Sequence, residues 1–446
     1  MKLTPSLISI LLSINSAVVF AASTNELIHQ SVEKNNAKYI QIYKSIHKNP
    51  ELSFMEVETA AIIAKELKSY GYNVTDKIAK TGIAAVMKNG DGPVVMYRAD
   101  MDANAVKETT GLPYASQKNV QLADGTHTAV AHACGHDAHV VWMLGVAKFF
   151  SEHKNLWKGT VVFIGQPAEE TIEGAEAMIN DGLYTKYKIP KPDYLLGMHT
   201  APIAVGMVAA ASGTRMAGTD QIDVTFNGVG GHGSAPHHAK DPVIMATSAI
   251  TQYQTLISRN VDPQNPSVLT IGSIQAGSNN NVIPASALLK INLRWFKESD
   301  RKIMVDGIQR INESIAIANN LEPSQYPTIK FKGHSSPLVN NSELTQSIYK
   351  TLSTSNLFKS PQFILNENNF PSFMASEDFH HLVIHNDKKN YSYLYIGIAE
   401  PKLFAQASKN NTVPFYPHNG NYQVDLAAIP FGTEVGITSL LSIFNQ

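Results

Sequence analysis

The densest run of reactive side chains is His132-Ala133-Cys134-Gly135-His136-Asp137-Ala138-His139, with three histidines, one cysteine and one aspartate in eight residues. If these groups merely packed, each would need its own hydrogen-bond partner, so the density argues for ligation. Cys134 and His136, two apart on a turn or extended segment, can point to one side and bind the same metal ion or adjacent ones. A thiolate with an imidazole suits zinc or a similar transition ion, and Gly135 relieves backbone crowding between them. A second cluster, Gln166-Pro167-Ala168-Glu169-Glu170, follows the apolar run Thr160 to Gly165. Adjacent carboxylates are often only solvated decoration. At a strand end, however, neighbours project differently, so one can bind metal while the other reaches a water. Spacing alone does not say which does which. His199 closes another apolar run, Tyr194 to Met198, and gains weight from the two earlier clusters. His418, in Tyr416-Pro417-His418-Asn419-Gly420, is a weak signal by itself.

A further unusual stretch is Gly230-Gly231-His232-Gly233-Ser234-Ala235-Pro236-His237-His238, whose glycines permit close backbone approach to a ligand around His232. Asn281 and Arg294 follow as candidate anchors, and a guanidinium can grip a carboxylate in bidentate fashion.

These groups need elements to hold them. Thr59 to Tyr70 and Ala138 to Phe150 read as helices. Ile83 to Met87, Val94 to Ala99, Val161 to Gly165 and Tyr194 to Met198 read as strands, which predicts an α/β sheet covered by helices. Residues 213–333 change pattern. A strand through Ile222, Val224 and Phe226, a helix from Asp241 to Ser258, strands Val268 to Ile274 and Leu288 to Trp295, a helix from Asp300 to Asn319 and a strand Thr328 to Lys332 give the order β-α-β-β-α-β. That is a ferredoxin-like sandwich inserted into the larger domain. The expected α/β catalytic domain is therefore split, 23–212 and 334–446, so that metal ligands from both ends can share one site.

With 446 residues, two domains are the natural prior. The formal net charge of −1, with no long basic run, gives no footprint for nucleic acid. A small-molecule or peptide substrate is expected. Lys2 precedes an apolar stretch from Leu7 to Phe20 with small residues at Ala21 and Ala22, which reads as a cleaved secretion signal over residues 1–22. The mature chain is then expected to be soluble and exported, periplasmic or secreted. The single Cys excludes disulfides within the chain and leaves its chemistry to be explained.

Taken together, Arg98-Ala99-Asp100-Met101-Asp102-Ala103, His132 to His139, Gln166 to Glu170, Met198-His199, Gly231 to His237 with Asp241-Pro242, Ala375-Ser376-Glu377-Asp378-Phe379 and His418-Asn419 occur in order. This set resembles the hippurate hydrolase, aminoacylase, auxin-conjugate amidohydrolase and carboxypeptidase-like branch of the two-metal metallopeptidases, from about residue 40 to the C-terminus. The resemblance implies a zinc-peptidase-like α/β catalytic domain with an inserted lid that often serves for dimerisation. It implies Cys134, His136, Glu170, His199 and His418 as ligands of two divalent ions, with Cys134 shared. The ions would be zinc by default, with manganese, cobalt or nickel as alternatives. It further implies Glu169 as general base, His232 as the lid histidine that steadies the oxyanion, and Asn281 and Arg294 as holders of the substrate carboxylate. The chain departs from the pattern at Asn104, at Val140-Val141, and at Tyr422 and Leu426, where many relatives have Phe and Glu. None of these is a proposed ligand or the base.

The implied reaction is metal-assisted hydrolysis of an N-acyl amino acid, in which Glu169 takes a proton from water and passes it to the leaving nitrogen. Asp100 and Asp137 are expected to orient ligand imidazoles, and the lid is expected to close over the site. A carboxypeptidase or dipeptidase with the same machinery, and a secreted binding protein without catalysis, are the competing expectations.

Overall fold

The computed structural model describes the backbone of residues 5–122, 125–358, 363–383 and 390–445, with side chains from residue 24 onward. Part of the expected leader, residues 1–4 and the side chains up to residue 23, lies outside the described residues. Helix α1 (Pro5–Lys48) buries Ile28, Val32, Tyr39, Tyr43 and Ile46, a helical spacing that lays one face on the core. Helix α2 (Val57–Ser69) follows, then strands β1 (Asn73–Ile78), β2 (Gly82–Asn89) and β3 (Val94–Asp100). Helix α3 (His136–Glu152) is buried along almost its whole length, and β4 (Gly159–Gln166), β5 (Tyr194–Ala204) and the short β6 (Val208–Ala209) complete the first run.

The chain then builds a second unit from β7 (Gly218–Asn227), α4 (Pro242–Thr255), β8 (Ser267–Ala276), β9 (Ser286–Trp295), α5 (Glu298–Ala318) and β10 (Thr328–Ser335). These strands form an antiparallel sheet in the order β8-β9-β7-β10, the ferredoxin-like arrangement. Alternate residues Ile222, Val224 and Phe226 of β7 point into this unit's own apolar cluster, with Leu289, Leu293 and Trp295 of β9. The first unit resumes with α6 (Ser342–Thr354), β11 (Ile364–Leu365), β12 (Tyr391–Ala399) and α7 (Ala428–Phe444). Its sheet has eight strands in the order β1-β2-β4-β3-β5-β12-β6-β11, parallel from β4 through β12 and antiparallel at β2.

Strands β2 and β3 flank the Asn89 to Gly92 turn yet do not pair with each other, because β4 lies between them. The two compact units are Met1–Gly213 with Asn340–Pro371 and Phe379–Gln446, and Thr214–Val339 with Ser372–Asp378. Ser372–Asp378 therefore falls in the second unit, where Phe373 donates its N–H to the Arg215 carbonyl (3.1 Å) and Ala217 donates to Ala375 (2.9 Å).

Behind the first unit's sheet, α3 packs against α7 at close range. A Cβ on Gly432 would stand 2.3 Å from Trp142 Cε2, and one on Gly145 would stand 2.5 Å from Thr433 Cγ2. Among the described residues no helix is long and apolar enough to cross a membrane.

Candidate metal centre

Parallel strands deliver their carboxyl ends to one rim of the sheet, where ligand crevices form in α/β proteins. β3 ends at Asp100, β4 ends at Gln166 beside it in register, and β5 carries His199. Helix α3 begins at the same rim. Gly135, at φ 80°, turns the chain into it, and a Cβ there would collide with the Thr200 side chain at 2.7 Å. The turn is held in place because Tyr422 donates its hydroxyl to Thr200 Oγ1 (2.7 Å), and Thr200 donates to the Cys134 carbonyl (2.7 Å). Tyr422, one of the departures from the family pattern, thus supplies a hydrogen bond that phenylalanine would lack.

Two sets of donor atoms meet at Cys134, one with His136 and His199, the other with Glu170 and His418, each set lying within 4.8 Å of one another. Their orientation suits ligation. His136 Nδ1 donates to the Asp102 carbonyl (2.8 Å) and His199 Nδ1 to the Thr200 carbonyl (2.7 Å), which leaves Nε2 of each as a lone-pair donor. His199 Nε2 lies 3.4 Å from Cys134 Sγ. His136 Nε2 and Glu170 Oε1, 3.7 Å apart, are buried with no hydrogen-bond partner among the described residues. Orphaned buried donors of this kind fit a cation site. His418 Nε2 stands 3.2 Å from Glu170 Oε2, and its loop is anchored where the His418 N–H donates to the Ala133 carbonyl (2.8 Å). The His418 side chain is more than half exposed, so one side of the cluster opens to solvent.

The electrostatics agree. Burial and the Glu170 carboxylate would push the Cys134 thiol up, but His199 and His136 outweigh them and bring it down to about 6. Burial likewise opposes ionisation of Glu170, yet His418 and His136 hold it down at about 2. Hydrogen bonding to Cys134 and Glu170 raises His418 to about 10. The thiolate and carboxylate draw positive charge into a buried site, a role that metal ions fill without a proton.

Glu169, 6% exposed, has its carboxylate 3.9 Å from His136 Nε2. His139 is excluded as a ligand by its own bonds: Nδ1 meets Asp100 Oδ1 at 2.5 Å, and Nε2 accepts the Thr200 N–H at 2.9 Å. The two aspartates expected to orient ligand imidazoles behave differently. Asp100 holds His139 and accepts from Arg98 (2.8 Å), with the ligand candidate His136 only 3.6 Å off. Asp137 faces His47 Nδ1 (2.6 Å) and accepts the Ala138 N–H in the first turn of its own helix (2.9 Å), so it orients none of His136, His199 or His418. The residue that sequence reasoning passed over is Asp102. Its carbonyl fixes His136, and its two carboxylate oxygens accept the N–H groups of Glu169 (3.1 Å) and Glu170 (3.0 Å). An acid two residues beyond Asp100 at the end of an apolar strand was the available signal.

The remaining candidates lie in the second unit. His232 is exposed, pairs across Gly231–His232 with Val282, and has Nδ1 2.7 Å from Ser234 Oγ. Asn281 accepts the Gly233 N–H through its carbonyl (2.8 Å). Arg294 donates to Asn292 Oδ1 (2.8 Å) and Ser376 Oγ (2.5 Å).

The model of peptidase family M20/M25/M40 matches residues 96–434. Among curated proteins the chain is similar to a hippurate hydrolase of Campylobacter jejuni, 40% identical over 287 residues, covering 64% of this chain and 71% of that protein. It is 35% identical over 333 residues to an N-acetyl-L-cysteine deacetylase of Bacillus subtilis, covering 74% of this chain and 75% of that one. Its fold matches the crystal structure of a dinuclear metal-binding peptidase of Bacillus subtilis with a TM-score of 0.68, at 24% identity over 93% of this chain and 99% of that one.

Proposed function

The chain belongs to peptidase family M20/M25/M40, and we propose that it is a metal-dependent amidohydrolase that cleaves the amide bond of N-acyl amino acids, hippurate-like or N-acetylated. The observation that carries this reading is the pair of donor sets meeting at Cys134, with His136 Nε2 and Glu170 Oε1 buried and without a hydrogen-bond partner among the described residues. Cys134, His136 and His199 would hold one divalent ion, and Cys134, Glu170 and His418 the other. Zinc is the ion this thiolate and imidazole set favours. When bound, the ions would acidify a water and polarise the scissile carbonyl.

The protein's own groups do the rest. Glu169 takes the water's proton and delivers it to the departing nitrogen. His232 steadies the oxyanion, and Asn281 with Arg294 holds the substrate carboxylate. Association of two chains through the second unit belongs to the same reading, carried over from the family resemblance of residues 213–333. Lys2 and the apolar run Leu7 to Phe20 support export.

The test couples metal analysis to a panel of hippurate, N-acetyl amino acids and blocked dipeptides, with chelation and re-addition of each ion. Turnover of the acyl amino acids is expected. Preference for blocked dipeptides would make the protein a peptidase instead, and metal binding without turnover would make it a binding protein. Glu169→Gln should lower kcat by about 10²–10⁴-fold, the usual contribution of a general base, with metal content intact.

A further inference from the structure

Glu56 is fully buried, lies outside both donor sets and has no part in the hydrolysis described above. Its contacts are unusual. Oε1 accepts two backbone N–H groups, from Phe54 and from Ala168, both at 2.9 Å, and Oε2 accepts the Thr81 hydroxyl at 2.5 Å. Phe54 and Ala168 are both non-glycine residues in the left-handed region, at φ 62° and 51°. Such backbone is unfavourable for L-residues and persists only where the surroundings over-determine it. Here one carboxylate oxygen accepts the N–H of each, and on its other side Ala168 accepts the Gly174 N–H through its carbonyl (3.1 Å).

Ala168 directly precedes the base. The next two N–H groups, Glu169 and Glu170, go to the two oxygens of Asp102. Three successive amides are thus held by two buried carboxylates, and Ser53, directly before Phe54, donates its hydroxyl to Asp102 Oδ2 (2.6 Å). Keeping two buried acids close together is costly, and burial, with Asp102 adding to it, pushes Glu56 up to about 7. An apolar side chain would fill the same space without that cost, so what distinguishes the carboxylate here is what its oxygens hold.

We propose that Glu56 is a positioning residue for the general base, which fixes the left-handed turn at Ala168 and so sets the direction of the Glu169 carboxylate. This rests on the amidohydrolase reading, which Glu169→Gln tests separately in the same assay.

The experiment measures kcat, KM and bound metal for Glu56→Gln, Glu56→Leu and Glu56→Asp with hippurate as substrate. Gln keeps an oxygen acceptor at the same reach and should retain most of the turnover. Leu removes the acceptor, and Asp withdraws it by one methylene. Each should lower kcat by about 10–100-fold, the scale of an ångström misplacement, while KM and metal content stay near those of the unchanged protein. A kcat for Glu56→Leu equal to that of the unchanged protein would overturn the proposal, as would a loss that tracks loss of metal. If Glu56→Leu does not fold, Glu56→Asp decides: unchanged kcat overturns the proposal, and lowered kcat with intact metal and an active Glu56→Gln supports it. Inactivity of the unchanged protein on every substrate would instead sink the underlying reading.

Discussion

Cys134 is the atom both donor sets have in common, so its replacement is expected to disturb two ions at once, unlike that of His199 or His418. A serine hydroxyl does not ionise near neutrality and is a poor partner for a soft ion. Cys134→Ser should therefore weaken binding by at least about 100-fold, the upper end of what even an outer partner's loss costs, measured as metal retained after dialysis. Retention of a full complement would remove Cys134 from the ligand set. At this scale the sequence was legible where chemistry leaves a pattern: Cys134 and His136 stand two apart, and Glu169-Glu170 and His199 follow apolar runs. It was less legible where a side chain serves the backbone. Asp102 and Glu56 bind amide groups, which every residue carries, so no spacing betrays their partners. Asp137 was misjudged for a related reason, because its imidazole proved to be His47, 90 residues away in sequence.

Helix α1 meets the start of α3 through His47, whose Nδ1 lies 2.6 Å from Asp137 and whose Nε2 lies 3.1 Å from Glu108, all three side chains being buried. Burial works against the charged imidazole, but the two carboxylates prevail and raise His47 to about 10. A pKa raised on folding contributes stability that is complete below the ordinary value near 6.5 and is lost as pH rises through about 10. Removing one partner of a buried pair costs about 3–5 kcal/mol. The melting temperature of His47→Gln should thus lie well below that of the unchanged protein at pH 6 to 7, with the gap narrowing toward about pH 10. A gap constant over that range would mean the imidazole is neutral. The α3–α7 contact is steric instead. Gly432→Ala would force a Cβ against Trp142 and should cost about 1–3 kcal/mol by overpacking, read from urea unfolding. Of these elements α3 was recognisable as an apolar run, and β7 as an alternating one. Which strands neighbour one another was not, since β4 enters between β2 and β3 through pairing with residues far along the chain.

Each compact unit has its own apolar cluster, and every candidate ligand belongs to the first. Chelation is accordingly expected to act on one unit's unfolding alone. Calorimetry should give a transition that shifts downward on metal removal, by linkage, and another that stays in place. A uniform shift of all unfolding would mean the units melt as one. The split of the first unit also has a temporal side. Strand β12 sits inside its sheet, between β5 and β6, and His418 comes later still, while Thr214–Val339 is contiguous in the chain. During synthesis Thr214–Val339 can gather itself early, but β5 must wait with an open edge, and the donor set of Glu170 and His418 cannot exist until His418 has emerged. The ion that Cys134, Glu170 and His418 would hold is therefore expected to enter only where the segment carrying His418 folds, whereas the Cys134, His136 and His199 set is complete much earlier in the chain.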